Sequence, residues 1–196
     1  HNLFYYLPIF AYGYCFRNIS KLVELNSRIK NILSTNNFNL IHLESVESTM
    51  KSIKNFIGTQ NICMIADEQT SGIGRRGNKW VSPKGNIYIS FLIKYDLPFE
   101  NHFLFSAFTA NSIIKFLSKY IDENINIKWP NDIIINNKKI AGIMTEIVEH
   151  NNTPYIIIGL GINILTSPKI KDYKTCSLKD YKDNLKYENV LINFIE

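Results

Sequence analysis

Cysteine is scarce in this sequence, and the few cysteines form no recognisable pattern. There are three in 196 residues, far apart and without a C-x-x-C pair, and the four histidines lack metal-ligand spacing. These absences argue against a disulfide framework and a zinc site, and they favour a reducing compartment. The predicted location is cytoplasmic. A plastid or mitochondrial location stays open because the sequence starts at His1 and not at a methionine.

Long apolar runs are also absent. The longest candidate, Leu3 to Phe16, is interrupted by Pro8 and Gly13, and it is shorter than the roughly 20 residues that a membrane-spanning helix needs. We therefore predict no membrane partner. Residues 1–39 are interpreted as an N-terminal extension, either a strand or helix packed on the domain or the remnant of a targeting segment. Residues 40–196 are predicted to form one globular domain.

Basic residues are not clustered, although the chain is basic overall. The net charge is +5 with a pI near 9.0, and no run of five basic residues occurs. The motifs of the common nucleic-acid-binding modules are missing, as is a winged-helix pattern at the N-terminus. We therefore predict no nucleic-acid partner.

The hydrophobic patterns indicate an α+β fold with a mixed or antiparallel sheet flanked by helices. Strands and helices alternate irregularly, and the turn at Asn136–Lys138 joins two strands as a hairpin. A helix over 49–57 begins at Ser48 and Thr49, which are N-cap residue types, and ends at Gly58. The other predicted helices are 19–34, 102–121 and a short one from 190, and the predicted strands are 38–43, 61–66, 86–94, 125–129, 132–136, 139–149 and 155–164.

The segment from Gly72 to Trp80 carries the most informative pattern. It satisfies G-x-G-x-x-G, but Pro83 and Gly85 follow too closely for the helix of a dinucleotide-binding turn. Arg75 and Arg76 instead favour a loop that closes over an anionic intermediate. For an isolated match, a basic surface turn would be the preferred interpretation.

A second pattern is Lys128-Trp129-Pro130-Asn131-Asp132. Strand alternation places Ile127 and Trp129 on one face and Lys128 on the other. A lysine in that position can polarise a carboxylate or a phosphate, although an exposed lysine on an edge strand has the same pattern. In Gly159-Leu160-Gly161-Ile162-Asn163 and in Ala141-Gly142, small residues within strands leave room for a ligand against the backbone or mark a β-bulge.

In this order, these motifs resemble the catalytic domain of the biotin protein ligases over about residues 40–165. The resemblance implies a class II synthetase-like fold that uses ATP, Mg²⁺ and biotin. The carboxylate is activated as biotinyl-5′-AMP and is then transferred to a lysine of a biotin carboxyl carrier domain. ATP would bind without a G-x-x-x-x-G-K-[ST] loop, and the sequence has no metal-ligand motif for Mg²⁺. A homodimer is left open.

The resemblance also implies roles for individual residues. Lys128, Arg75 and Asp132 would be catalytic. The biotin site would comprise Ser48, Thr49, Gln69, Gly72, Ile73, Gly74, Arg75, Lys128, Gly142, Gly159 and Gly161. The ATP and adenylate site would comprise Arg75, Arg76, Trp80, Lys128, Asn131 and Asn163.

Two departures from the family pattern keep alternatives open. Ile73 replaces the first arginine of the family loop, and the sequence up to Glu196 leaves no room for the small C-terminal β domain that many members carry. A lipoate or octanoate ligase of the same fold and a non-catalytic biotin or nucleotide binder are the alternative functions.

Overall fold

The computed structural model describes residues 23–95, 102–170 and 173–196. Seven strands form one sheet: β1 Asn39–Val46, β2 Ile62–Gln69, β3 Ile87–Lys94, β4 Ile125–Lys128, β5 Asp132–Ile135, β6 Lys138–His150 and β7 Thr153–Ile162. Their order is β1-β2-β3-β7-β6-β5-β4. β1 and β2 pair in parallel, and every other neighbouring pair is antiparallel. The predicted α+β fold with a mixed sheet is confirmed.

Four helices accompany the sheet in the described ranges: α1 residues 23–35, α2 Thr49–Ser52, α3 His102–Leu117 and α4 Tyr187–Ile195. Buried residues of α1, α3 and α4, such as Ile29, Ile113 and Leu191, share one core cluster with one face of the sheet. A smaller cluster, which includes Met50 and Met64, covers part of the other face beside α2. The site described below lies on this second face. Residues 3–16, where the sequence suggests an N-terminal strand or helix, lie outside the described residues.

The predicted helix over 49–57 is present, but only its first turn is α-helical. The α-helical part, α2, is followed at once by a 3₁₀ turn, Ile53–Phe56, and the chain leaves it near Gly58 at a φ of +91°. The hydroxyl of Ser48 makes no capping bond. The Thr49 N–H instead donates to Oε1 of Gln69 at 2.8 Å, so a distant side chain satisfies the start of this helix.

The described part of the chain contains no helix that is both long enough and apolar enough to cross a bilayer.

Candidate active site

Strand register brings three of the sequence motifs onto one face of the sheet. Lys128 pairs with Asp132, Asp132 with Gly142, and Gly142 with Gly161. Register partners on neighbouring strands point their side chains to the same face. This row of register partners therefore places Lys128 and Asp132, the two ends of the block, on the same face as Gly142 of β6 and Gly161 of β7. Gly159 lies on the same face, two residues from Gly161 along β7.

A cavity opens on this face between α2, strands β6 and β7, and the loop from Gly72 to Trp80, which we call the glycine loop. Ten of the predicted site residues line it: Thr49, Gln69, Ile73, Gly74, Arg75, Trp80, Asn131, Gly142, Gly159 and Gly161. Five further lining residues have no role predicted from the sequence: Met50, Lys139, Ile143, Met144 and Leu160. Residues that are more than 110 positions apart in sequence thus share one cavity wall.

A chain of hydrogen bonds forms the wall beside α2. Ser90 Oγ donates to Thr49 Oγ1 at 2.8 Å, and the Thr49 hydroxyl donates to Oε1 of Gln69 at 3.2 Å. Nε2 of Gln69 donates to Ser82 Oγ at 2.9 Å, and Ser82 donates to the Trp80 carbonyl, also at 2.9 Å. The Gln69 carboxamide thus fixes α2 relative to the loop that carries Trp80. Fixed amides and hydroxyls of this kind suit recognition of a neutral polar ring.

Replacing Gln69 with leucine is expected to lower the free energy of unfolding by about 2 kcal/mol, because the Thr49 N–H loses its acceptor and the Ser82 oxygen loses the Gln69 donor. Urea unfolding measures the change. Gln60→Leu is the matched control, since Gln60 is exposed in a turn and its replacement should change stability by no more than about 0.5 kcal/mol. Equal losses in the two variants would contradict the role assigned to Gln69.

The glycine loop lies between β2 and β3, and backbone hydrogen bonds join its two ends. Trp80 N–H donates to the Gly72 carbonyl at 2.8 Å, and Gly74 N–H donates to the Asn78 carbonyl at 2.6 Å. Only a 3₁₀ turn, Arg75–Gly77, interrupts the extended backbone. The prediction that no α-helix follows the third glycine is therefore confirmed. A Cβ on Gly72 would lie 2.5 Å from the Trp80 carbonyl oxygen, so close backbone approach requires glycine here.

Arg75 connects this loop to the Lys128–Asp132 block. Its Nη1 donates to Asn131 Oδ1 at 3.1 Å, and Asn131 Nδ2 donates to the Ile143 carbonyl at the same distance. The peptide bond between Trp129 and Pro130 is cis. Arg75 is exposed while it lines the cavity, so its guanidinium is available to an anion there.

The small residues of β6 and β7 are covered by protein side chains. A Cβ on Gly161 would lie 2.5 Å from Cε2 and Nε1 of Trp80, and one on Gly142 would lie 3.0 Å from Trp80 Cζ3. A Cβ on Gly159 would lie 2.2 Å from Met50 Sδ. The glycines therefore make room for Trp80 and Met50, where the sequence analysis expected a bare surface for biotin.

Lys139 is the cavity cation that the sequence analysis missed. Between β5 and β6 the register changes from Ile133–Ala141 to Ile134–Lys139, so β6 carries one extra residue. This β-bulge turns Lys139 to the same face as Asp132, and Lys139 Nζ lies 2.7 Å from Asp132 Oδ1. Without the bulge, simple alternation along β6 would place the Lys139 side chain on the other face of the sheet from Gly142. No signal in the sequence reveals the bulge.

Six predicted site residues lie outside the cavity lining: Ser48, Gly72, Arg76, Lys128, Asp132 and Asn163. Lys128 is on the predicted face, but it is exposed on the edge strand β4, and its neighbours Ile127 and Trp129 are also exposed. Arg76 is exposed at a φ of 56°. Asp132 is the register partner of Lys128, but its carboxylate forms an ion pair with Lys139.

Apart from Asp132, whose Oδ1 forms the ion pair with Lys139, three predicted site residues contain a buried polar atom without a hydrogen-bond partner among the described residues. These atoms are Ser48 Oγ, Trp80 Nε1 and Asn163 Oδ1. Asn163 Nδ2 donates to the Cys176 carbonyl at 3.0 Å, so its amide also anchors the segment after β7. Unpartnered buried polar groups are uncommon in native proteins and are readily satisfied by a ligand.

The described residues contain no group of three His, Cys, Asp or Glu side chains that could hold a metal ion. Burial raises the pKa of the Cys63 and Cys176 thiols, which disfavours their thiolates. Burial also raises the pKa of Tyr88, the register partner of Gly161, whose hydroxyl donates to the Pro83 carbonyl at 2.8 Å. The charged groups at the cavity are therefore Arg75 and Lys139, with Asp132 behind Lys139.

Comparisons with a family model, curated proteins and solved structures agree with one another. The family model described as "Biotin/lipoate A/B protein ligase family" matches residues 42–163. The Bacillus subtilis protein named bifunctional ligase/repressor BirA is 32% identical over 146 residues, which are 74% of this chain and 42% of that protein. The chain thus spans less than half the length of this relative.

Two solved structures have the same fold at comparable identity. The biotin protein ligase from Leishmania major in complex with biotinyl-5-AMP has a TM-score of 0.67 and 28% identity, covering 80% of this chain and 71% of that one. The enzyme from Aquifex aeolicus in complex with biotin and ATP has a TM-score of 0.66 and 29% identity, covering 80% and 67%. Because the family match covers more than half of the sequence and includes every residue that lines the cavity, this chain belongs to the biotin/lipoate A/B protein ligase family.

Proposed function

We propose that residues 40–196 form the catalytic domain of a ligase that activates biotin with ATP and transfers it to a carrier-domain lysine. The observation that carries this proposal is the shared cavity. A hydrogen-bonding wall around Gln69 faces an aromatic and cationic wall around Trp80 and Arg75. A neutral polar ring and an anionic nucleotide could bind side by side there. Solved structures of similar proteins contain biotin with ATP, and biotinyl-5-AMP.

The first step joins the two substrates. A biotin carboxylate oxygen attacks the α-phosphorus of ATP, pyrophosphate leaves, and biotinyl-5′-AMP forms. Both reactants are anionic, so cations must offset their repulsion and the charge that develops at phosphorus. Arg75 lines the cavity, and Lys128 lies at the end of the same sheet row as Asp132. We assign charge neutralisation to these two residues.

The base and the ureido ring occupy opposite ends of the cavity in this proposal. The Trp80 indole supplies a stacking surface for adenine, and its buried Nε1 and Asn163 Oδ1 are unpartnered atoms that nucleotide binding could satisfy. Ser48, Thr49 and Gln69 would bind the ureido group. Ile73 packs on the apolar cluster around Met50, which suits the hydrocarbon part of the ligand.

Mg²⁺ would accompany the ATP phosphates and neutralise their charge. The residues that the structure describes contain no cluster of metal-ligating side chains, and the Asp132 carboxylate beside the cavity is already paired with Lys139. The protein groups that would hold the phosphates are therefore the Arg75 and Lys128 side chains.

In the second step, the amine of a carrier lysine attacks the acyl carbon and AMP leaves. The amine must lose its proton to form the amide. The glycine loop would shield the mixed anhydride from water until the carrier binds. A biotin carboxyl carrier domain is the proposed partner, and the proposed compartment is the cytoplasm, a plastid or a mitochondrion.

The test is exchange of labelled pyrophosphate into ATP by the full chain. We expect exchange that depends on biotin and that is not supported by lipoate or octanoate. Exchange that depends on lipoate would instead assign the chain to the other activity of this family. Biotin binding by calorimetry without any exchange would show a non-catalytic binder and would overturn the proposal.

A further inference from the structure

Lys139 is held in a mostly enclosed position beside the nucleotide end of the cavity. Its side chain is 14% exposed, and the partner carboxylate of Asp132 is 23% exposed. The ammonium lies 5.0 Å from the centre of the Trp80 ring and 5.3 Å from that of Tyr173. Enclosure strengthens both the ion pair and the cation–π contacts compared with those at an exposed surface.

The backbone of Lys139 also anchors the segment that follows β7. Lys139 N–H donates to the Lys174 carbonyl, and Cys176 N–H donates to the Lys139 carbonyl, both at 2.9 Å. Tyr173, which contacts the ammonium, belongs to this same segment. One residue therefore connects Asp132, the Trp80 ring and the segment from Tyr173 to Cys176.

We propose that Lys139 is a positioning residue for the nucleotide half of the site. It fixes the Trp80 indole against the β6 and β7 backbone and ties the segment after β7 to that ring. The ligand class is a purine nucleotide, because an aromatic ring held beside cations matches a flat base with phosphates. This inference rests on the proposed function for the reaction that the nucleotide enters, and the binding of the nucleotide is tested separately.

The position of Lys139 predicts that its effects are unequal for the two substrates. The Lys139 ammonium lies over the Trp80 ring, and Arg75 bonds Asn131, the neighbour of Asp132. Thr49 and Ser90 are instead bonded to each other beside α2. Removing the ammonium should therefore disturb nucleotide binding and leave the biotin wall in place. A substitution that destabilises the whole domain would weaken the binding of both ligands to the same extent.

The experiment measures binding of a non-hydrolysable ATP analogue and of biotin by calorimetry. Lys139→Met should weaken binding of the analogue about tenfold, corresponding to the loss of enclosed cation–π contacts. Biotin binding should change by less than about twofold, and Lys139→Arg should recover most of the nucleotide affinity because it keeps a charged partner for Asp132. Lys138→Met is the matched control, since Lys138 is exposed and is directed to the opposite face.

The inference would be overturned if Lys139→Met weakened the binding of both ligands equally or left nucleotide binding unchanged. It would also be overturned if Lys139→Arg failed to restore nucleotide binding. If Lys139→Met does not fold, Tyr173→Leu provides the second test, and it should weaken the analogue by about threefold or more while sparing biotin. Pyrophosphate exchange by the unmodified chain is measured in parallel. Nucleotide binding that depends on Lys139 without any exchange would refute the proposed reaction and leave the positioning role intact.

Discussion

Replacing Lys128 with alanine is expected to lower the rate of biotin-dependent pyrophosphate exchange by about 10² to 10³. This is the usual loss when one group that stabilises transition-state charge is removed. The carboxylate and the α-phosphate are both anionic, and Lys128 lies on the cavity face of the sheet beside Asp132. Stability should change little, because the side chain is exposed. The rate is measured at saturating biotin and ATP, so that the loss reports the chemical step.

Lys94→Ala is the control for this substitution. Lys94 is also an exposed lysine at the end of a strand of the same sheet, but it is outside the cavity. Its replacement should leave the exchange rate unchanged. If Lys128→Ala also retained full activity, Lys128 would be an ordinary lysine on an edge strand, and the charge would have to be neutralised by Arg75 and Lys139.

Replacing Gly161 with valine is expected to reduce kcat/KM for ATP by about 100-fold, because the new side chain takes the place of the Trp80 indole. Even a Cβ at this position would lie 2.5 Å from two atoms of that ring. Gly161 lies in β7, which is paired on both sides with β3 and β6, so its backbone has little freedom to shift. Trp80 is only partly buried, and the indole is therefore the group that would move.

A double-mutant cycle with Trp80→Ala separates this mechanism from general damage to the sheet. Once the indole is absent, valine at position 161 should add little further loss, so the two effects should be strongly non-additive. Fully additive losses would show that the valine acts through the backbone. Biotin affinity, measured by calorimetry, should change much less than ATP affinity in each single variant.

The parts of the fold that depend on regular periodicity were predictable. The strand patterns gave the seven strands, and the hairpin turn Asn136–Lys138 gave the pairing of β5 with β6. Alternation also placed Lys128 on the face of β4 opposite to Ile127. These predictions succeed because a period of two residues determines the face of a strand in every sheet. Exposure of Ile127 and Trp129 was not predictable, because nothing in the sequence shows that β4 is the edge strand.

The parts of the site that depend on irregular geometry were not predictable. The β-bulge at Ile140 directs Lys139 into the cavity, and the position of this extra residue in β6 leaves no mark in the sequence. The contact of Trp80 with Gly161 joins residues 81 positions apart, and their packing depends on the whole sheet. Asn163 was predicted to face adenine, but it also anchors Cys176, because the chain returns over the sheet after β7.

The strand order also affects how the chain can assemble. β7 is the last strand in sequence and the middle strand of the sheet. Because β7 pairs with both β3 and β6, it joins β1 to β3 with β4 to β6, and without it each group would have an unpaired inner edge of the kind that can associate with other chains. Thr49, Gln69 and Trp80 belong to the first half, and Asn131, Lys139 and Gly142 to the second. The pairing of β7 therefore brings the two halves of the site together, and a substrate that contacts both halves can stabilise only chains in which β7 is paired.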